Sequence, residues 1–313
     1  AFDTSAMDGF AVRSGDISKA SNLSPVSLDI VDSWPAGSTS ETKVDSGTAI
    51  RIMTGAPIPD GANAVLKQEN TEWNENSVLT RSNTRPGTNI RKMGSEIQSG
   101  DLILGKGSLI GAKEIGLLAY SGIGHLKVFK KPKVAILATG DELIELGVTV
   151  NKGQIRCSNL YIFQALVKKY GGKPDNLGIA KDDLQDIQTH ILAGSDADII
   201  VTTGGTGSGD KDFVDEILNI LNVDIKYRNV AMYPGGFHTF GLWQGKLIFC
   251  LPGNTMPSFI AFEQVVRPAI LRLHGIQNTR KKTVMARLKE DLKGKPGLTG
   301  FVPAWLNKIN GQH

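Results

Sequence analysis

The sequence predicts a multi-domain α/β protein in which a central doubly wound parallel-sheet domain is flanked by small β-rich domains. Three observations carry the prediction. A chain of 313 residues exceeds one typical domain and can bury two or three cores. Residues 129–278 alternate continuous apolar runs with text of helical period, the pattern of a parallel sheet covered on both faces. On either side, short apolar runs are broken by Gly, Pro, Asn and Ser, as in small β units.

Residues 1–107 form the first β-rich domain in this reading, with PVSLDIV, TAIRIM, NAVLKQE and SVLTR as short strands, followed by NIRKMGSEI. Residues 108–128 are expected to connect it onward through a helix and a strand. In the helix, Ala112, Ile115, Leu118 and Ala119 share one face and Gly122 is the stop signal. The α/β domain, 129–278, follows, and its alternation of strands and helices sets in after Pro132. KVAILATG is a continuous apolar strand; SNLYIFQALVKKYGG is a helix with Ser158 as N-cap candidate and Leu160, Phe163 and Val167 on one face. PDNLGIA is the next strand, followed by a helix opening at Asp182-Asp183 with Leu184, Ile187 and Ile191 facing inward. DIIVTTGG and DKDFVDEILNIL form a third strand and helix. NVAMYPGG and KLIFCLPGN read as two further strands, and residues 255–275 as a long closing helix. From 279 to 313 a basic stretch gives way to β-like text, taken as the truncated start of a C-terminal β domain. Both ends read as interior to a longer protein.

Composition excludes several classes. Lys plus Arg number 35 against 31 Asp plus Glu, too even a balance for a nucleic-acid surface. No apolar run approaches the roughly 18 to 20 residues that span a bilayer, and the opening AFDTSAMDGF lacks the regions of a signal peptide. The expectation is a cytoplasmic protein with neither nucleic-acid nor membrane partner. Cys157 and Cys250 fit no metal motif or disulfide framework, and Cys250, inside LIFCL, reads as core. His125, His190, His238, His274 and His313 have no metal-ligand spacing, and no nucleophile–base arrangement is legible.

The chemistry gathers at the carboxyl ends of the strands, where an open parallel sheet binds its ligands. Asp141, Glu142, Asp182, Asp183, Asp210 and Asp212 all fall there. So does the loop Gly204-Gly205-Thr206-Gly207-Ser208-Gly209, which runs from a strand into a helix and so offers backbone N–H groups to an anion. It is neither a Walker A loop nor a dinucleotide fingerprint; a tight turn is the bland alternative. Acids beside a phosphate site repel it unless a cation intervenes. Mg²⁺, which takes carboxylate and phosphate oxygens, would resolve the conflict, with Glu142 and Asp212 as candidate ligands. Some of these acids could instead cap their helices, Asp182 or Asp183 and Asp210 in particular.

Seven segments together resemble one family. DTSAMDGFAVR, AIRIMTGAPIPDGANAV, RPGTNIRKMGSEI, VAILATGDEL, GQIRCSN, TTGG followed by GDKDF, and LPGN stand in the order and spacing of the MoeA and gephyrin E-domain motifs, from residue 1 to about 305. The resemblance implies insertion of molybdenum from molybdate into adenylylated molybdopterin, with Mg²⁺-assisted release of AMP. It also implies an elongated homodimer in which the β unit of one chain faces the α/β domain of the other. Matched residue by residue, the family's functional acids and threonine fall on Asp8, Thr54, Glu96 (where Asp is usual), Glu142, Asp182 and Asp212. Ligand-binding positions fall on residues 204–209, Asp210, Pro252, Gly253 and Asn254.

The chain also departs from that pattern. Three lysines usual in KVAMKPGKPFTFG are replaced by Asn229, Tyr233 and Gly236, an aspartate by Cys157, and LPGNPVSA reads LPGNTMPS. Arg51, Arg91, Arg156 and Arg228 are candidates to restore positive charge. Two alternatives stand beside a transferase: a catalytically weak molybdopterin-binding paralogue or dimeric scaffold, and an unrelated nucleotide- or sugar-phosphate enzyme on the same fold class.

Overall fold

The computed structural model describes residues 2–37, 41–205 and 213–307. The chain divides into two compact units, residues 1–103 and 104–313.

The first unit is built on a six-stranded sheet of β1 (Gly9–Val12), β2 (Val26–Trp34), β3 (Thr48–Ile52), β4 (Ala64–Lys67), β5 (Thr71–Trp73) and β6 (Ser77–Thr80), in the order β4-β1-β3-β2-β6-β5. All pairs are antiparallel except β2 with β3. Because side chains alternate along a strand, β1 sends Phe10 and Val12 to one core, with Leu28 and Val78, and Ala11 to a second, with Ile52 and Val65. Sheet and sequence period agree here.

In the second unit, helix α1 (Ala112–Tyr120) forms where the spacing put it. The strand expected before residue 129 does not: residues 123–132 have no regular secondary structure. Leu126 and Val128 alternate like a strand but stay 49% and 67% exposed, since no strand pairs with them in the described chain and an unpaired strand leaves its backbone groups unsatisfied.

Beyond it lies a six-stranded sheet of β7 (Lys133–Thr139), β8 (Lys173–Ala180), β9 (Ile199–Thr203), β10 (Asp224–Arg228), β11 (Thr239–Trp243) and β12 (Lys246–Leu251), in the order β8-β7-β9-β12-β11-β10. The first four are mutually parallel. β11 runs antiparallel to both its neighbours, β12 and β10, so the sheet is mixed at one side. The cause is local: β11 and β12 are joined by Gln244-Gly245, both with positive φ (49° and 78°), the two-residue turn that folds a hairpin rather than a crossover. Of the expected strand NVAMYPGG only Met232–Tyr233 is extended, and it pairs with Thr299–Gly300. Residues 279–298 carry no helix or strand.

Helices cover both faces. α2 (Asn159–Lys169) and the closing helix pack Leu160, Phe163, Val167, Phe262 and Ile270 against Val134, Ile136 and Phe249. The opposite face holds α3 (Leu184–Ala193) and α4 (Phe213–Ile220), with Ile187, Ile191, Ile217 and Leu218 against Ala135, Leu137, Ile248 and Cys250. Cys250 is core, as read. The closing helix is α5 (Thr255–Ala261) and α6 (Arg267–Leu273), joined by a π-helical turn at Phe262–Val266.

Candidate functional site

From β7 the chain crosses to β8 on one side and then returns to β9 and β12 on the other, so the switch point lies at the carboxyl ends of β7 and β9. The register sets Thr139 of β7 level with Ala180 of β8, and Thr203 of β9 level with Leu251 of β12. A cleft of about 480 Å³ opens above these ends. Its floor and walls include Thr139-Gly140, Thr203-Gly204-Gly205 and Pro252-Gly253-Asn254-Thr255, with Glu142, Arg156 and Asp182 as the charged residues among those described.

The backbone comes close because two residues have no side chain. Gly204 (φ 106°) and Gly205 (φ 64°) adopt left-handed conformations. A Cβ on Gly204 would collide with the Thr139 carbonyl, and one on Gly205 would lie 2.8 Å from Val214 Cγ2. Two helix N-termini meet at the same place. Neither Ser158 before α2 nor Asn254 before α5 caps its helix with its own side chain, and both residues line the cleft. The Ser158 and Thr255 hydroxyls meet at 3.1 Å. Helix N-termini present N–H groups and partial positive charge, which suits an anion, although at α2 the Asn159 and Leu160 N–H groups face the Cys157 sulfur.

The acids divide into caps and cleft residues. Asp183 Oδ1 accepts from Asp186 N at 2.9 Å and caps α3, so for this residue the plain reading holds. Asp182, one position earlier, lines the cleft and donates its backbone N–H to Asp141 Oδ1 at 3.2 Å. Burial, reinforced by the charges of Asp141 and Glu142, pushes the Asp182 carboxyl above the usual range. Glu142 is fixed through its carbonyl, which accepts from Ile155 N at 2.8 Å, while Cys157 N donates to Ile144 O at 3.0 Å. This small parallel pairing of Leu143–Ile144 with Ile155–Arg156 sets Arg156 in the cleft wall.

Asp8 and Thr54 come together in the first unit: Asp8 Oδ1 accepts from both Thr54 N and Thr54 Oγ1 at 2.7 Å. These bonds, with a contribution from Arg51, hold the Asp8 carboxyl below its usual value. Glu96, in the same unit, pairs with Arg91 at 3.6 Å. Thr206, Gly207, Ser208, Gly209, Asp210 and Asp212 lie outside the described residues.

Of the four candidate arginines, three are otherwise engaged. Arg51 stacks 4.3 Å over the Trp73 ring, Arg91 meets Glu96, and Arg228 meets Asp215 at 3.2 Å. Arg156 alone of the four lines the cleft. At the substituted lysine positions, Tyr233 lies under Lys295, whose Nζ is 4.7 Å from the ring centroid. At Gly236 a Cβ would run into the carbonyls of Val230 and Met232, so this loop conformation has no room for a lysine. The adjacent Phe237, 71% exposed, lines the cleft instead. Burial pushes the Cys157 thiol up, leaving it a neutral wall residue rather than a nucleophile.

Oxygen donors on one rim suit a hard cation, and Mg²⁺ commonly takes only one or two carboxylates with substrate phosphates completing its shell. Glu142 and Asp182 meet that requirement in donor type. Among the described residues no three His, Cys, Asp or Glu side chains are grouped to hold a metal on their own.

Thr139, Asn159, Thr203 and Phe237 were not singled out from the sequence. The one available signal was Asn159, a polar residue on the apolar face of α2, buried to 7% exposure.

Fold and cleft define a class: an open α/β sheet that offers backbone N–H groups, one arginine and a carboxylate rim to an anionic ligand. Comparisons with known proteins narrow it. Residues 1–122 match a family profile described as "MoeA N-terminal region (domain I and II)" and residues 135–272 one described as "Probable molybdopterin binding domain". Molybdopterin molybdenumtransferases of Staphylococcus epidermidis and Staphylococcus aureus are 36% and 37% identical over 304 residues, covering 97% of this chain and 73% of theirs. The crystal structure of a molybdopterin biosynthesis MoeA protein from Pyrococcus horikoshii superposes with a TM-score of 0.79 at 33% identity, over 88% of this chain and 70% of that one. The chain belongs to the molybdopterin molybdenumtransferase (MoeA) family.

Proposed function

We propose that the protein acts in molybdenum cofactor biosynthesis, inserting molybdenum from molybdate into adenylylated molybdopterin with release of AMP, and that the cleft at the ends of β7, β9 and β12 holds the phosphate-bearing part of that ligand. The observation that carries this reading is the meeting of the helix N-termini of α2 and α5 and a side-chain-free Gly204-Gly205 turn with the Glu142 and Asp182 carboxylates in one cleft. The first pair of features selects phosphate, and the carboxylates select a cation bound with it.

In this reading the backbone N–H groups of Gly205, Gly253 and Asn254 orient the phosphates, since the Gly204 N–H is donated to the Leu251 carbonyl and Pro252 has none, and Arg156 supplies the side-chain positive charge. Glu142 and Asp212 would hold Mg²⁺, which when bound neutralises phosphate charge and eases departure of the adenylate. Asp182, with its carboxyl above the usual range, is placed to exchange a proton with water at the cleft. Asp8, held ionised by Thr54, is the acid of the first unit, with Thr54 orienting it. A cytoplasmic homodimer completes the reading, with the family resemblance as its support.

Turnover is the test. Purified full-length protein incubated with adenylylated molybdopterin, molybdate and Mg²⁺ should release AMP, and Glu142→Ala or Asp212→Ala should reduce the rate by about a hundredfold or more while the circular dichroism spectrum is kept. Tight pterin binding with no AMP would sink the transferase reading, and unchanged rates in both variants would remove the metal role.

A further inference from the structure

Asn159 is the first residue of α2, and its side chain reaches the ends of two strands at once. Asn159 Nδ2 donates to Thr203 Oγ1 at 2.8 Å and to the Gly253 carbonyl at 2.7 Å, while Thr203 Oγ1 donates to the Pro252 carbonyl at 2.8 Å. The directions are fixed by chemistry. A carbonyl can only accept, and the single Thr203 hydroxyl proton is committed to Pro252, so both atoms facing Asn159 are acceptors and its NH₂ must point at them. Asn159 is 7% and Thr203 1% exposed, and in such surroundings a hydrogen bond competes with little water. Thr203 leads directly into Gly204-Gly205, and Pro252-Gly253 directly into the N-terminus of α5. Their separation therefore sets the spacing between the backbone groups on either side of the cleft. Gly253 sits close to the Gly204 backbone, so that even a Cβ there would lie 3.4 Å from Gly204 Cα.

We infer that Asn159 and Thr203 form a positioning clamp that fixes the Gly204 and Gly253 turns at the spacing the phosphate-bearing ligand requires. This assignment rests on the proposed function for the identity of the ligand, but not for the clamp itself. Asn159 and Thr203 act through the turns rather than on the reacting atoms. An aspartate at 159 keeps the size of the side chain but turns an oxygen toward two oxygens that have no proton to give, so Asn159→Asp should push the turns apart.

The test pairs a ligand-free readout with a ligand-dependent one on the full chain. Amide hydrogen exchange in segments 203–205 and 252–255 should accelerate by about tenfold or more in Asn159→Asp and in Thr203→Val, with exchange in β7 and α3 unchanged; Thr203→Ser, which keeps the hydroxyl, should restore wild-type exchange. The same two variants should raise KM for adenylylated molybdopterin by about tenfold with kcat within a few-fold of wild type. If both turns exchange as in wild type, or if they loosen with KM unaltered, the clamp is overturned. Should wild-type protein fail to bind adenylylated molybdopterin while the variants still loosen both turns, the proposed function falls and the clamp stands.

Discussion

Neighbouring residues of one type can carry opposite duties here. Asp182 and Asp183 are consecutive, yet Asp183 caps α3 and Asp182 faces the cleft, because the turn out of β8 sends successive side chains to different sides. Their environments then set their chemistry. Burial and the Asp141 and Glu142 charges raise the Asp182 carboxyl above its ordinary value of 3.8, so folding disfavours its ionised form. The sign follows from linkage: stability is lost at this site as pH rises past 3.8 toward the raised folded value. In Mg²⁺-free buffer, Asp182→Asn should thus be at least as stable as wild type at about pH 7, with the difference closing in acid. Chemical denaturation at both pH values checks this; an Asn variant less stable than wild type at neutral pH without Mg²⁺ would contradict it.

At the scale of an element, the closing helix is notable for a carboxylate buried in its π-helical turn. Glu263, 4% exposed, accepts from Tyr170 Oη at 2.6 Å and pairs with Lys281 at 2.6 Å and Arg267 at 3.6 Å. Burial pushes its carboxyl up, but the hydrogen bonds from Lys281 and Tyr170 outweigh burial and leave it below the usual value. Burial and Glu263 in turn push Tyr170 up to about 12. The pairing fastens α2, the closing helix and the segment after residue 276 together. Stabilisation from ionised Glu263 is present above its ordinary value of 4.5 and is lost as pH falls through the depressed folded value. Glu263→Gln should therefore cost roughly 1–3 kcal/mol near neutrality, the scale of a hydrogen bond to a charged group, lowering Tm by several degrees. The gap to wild type should narrow below about pH 4. A gap that stayed constant with pH would mean that the charge contributes nothing.

On the scale of the whole molecule, the two units, residues 1–103 and 104–313, each hold cores of their own. Phe10, Leu28 and Val78 belong to the first; Phe163, Phe249 and Phe262 to the second. Separate cores can unfold as separate cooperative units. Scanning calorimetry should then give a total enthalpy clearly above the van't Hoff value, whereas a single two-state transition would give a ratio near one. The family assignment also lives at this scale, since it needs motifs from both units.

Much of this was legible in the chain itself. Apolar runs such as KVAILATG and DIIVTTGG could only be strands buried on both faces, and a parallel sheet gathers its ligand groups at the strand ends, so Glu142, Asp182, Gly204 and Gly253 could be placed on one rim by pattern alone. Period and composition are local properties, and local properties are what a sequence states directly. The tertiary structure decided the rest. It turned β11 antiparallel through a two-residue turn and left residues 123–132 without a strand partner among the described residues. It sent Asp182 but not Asp183 into the cleft, and it brought Asn159 to Thr203 and Gly253 across 44 and 94 residues of chain. Those outcomes depend on the direction of single side chains and on contacts between distant segments, which are set only when the strands come into register and the helices close over them.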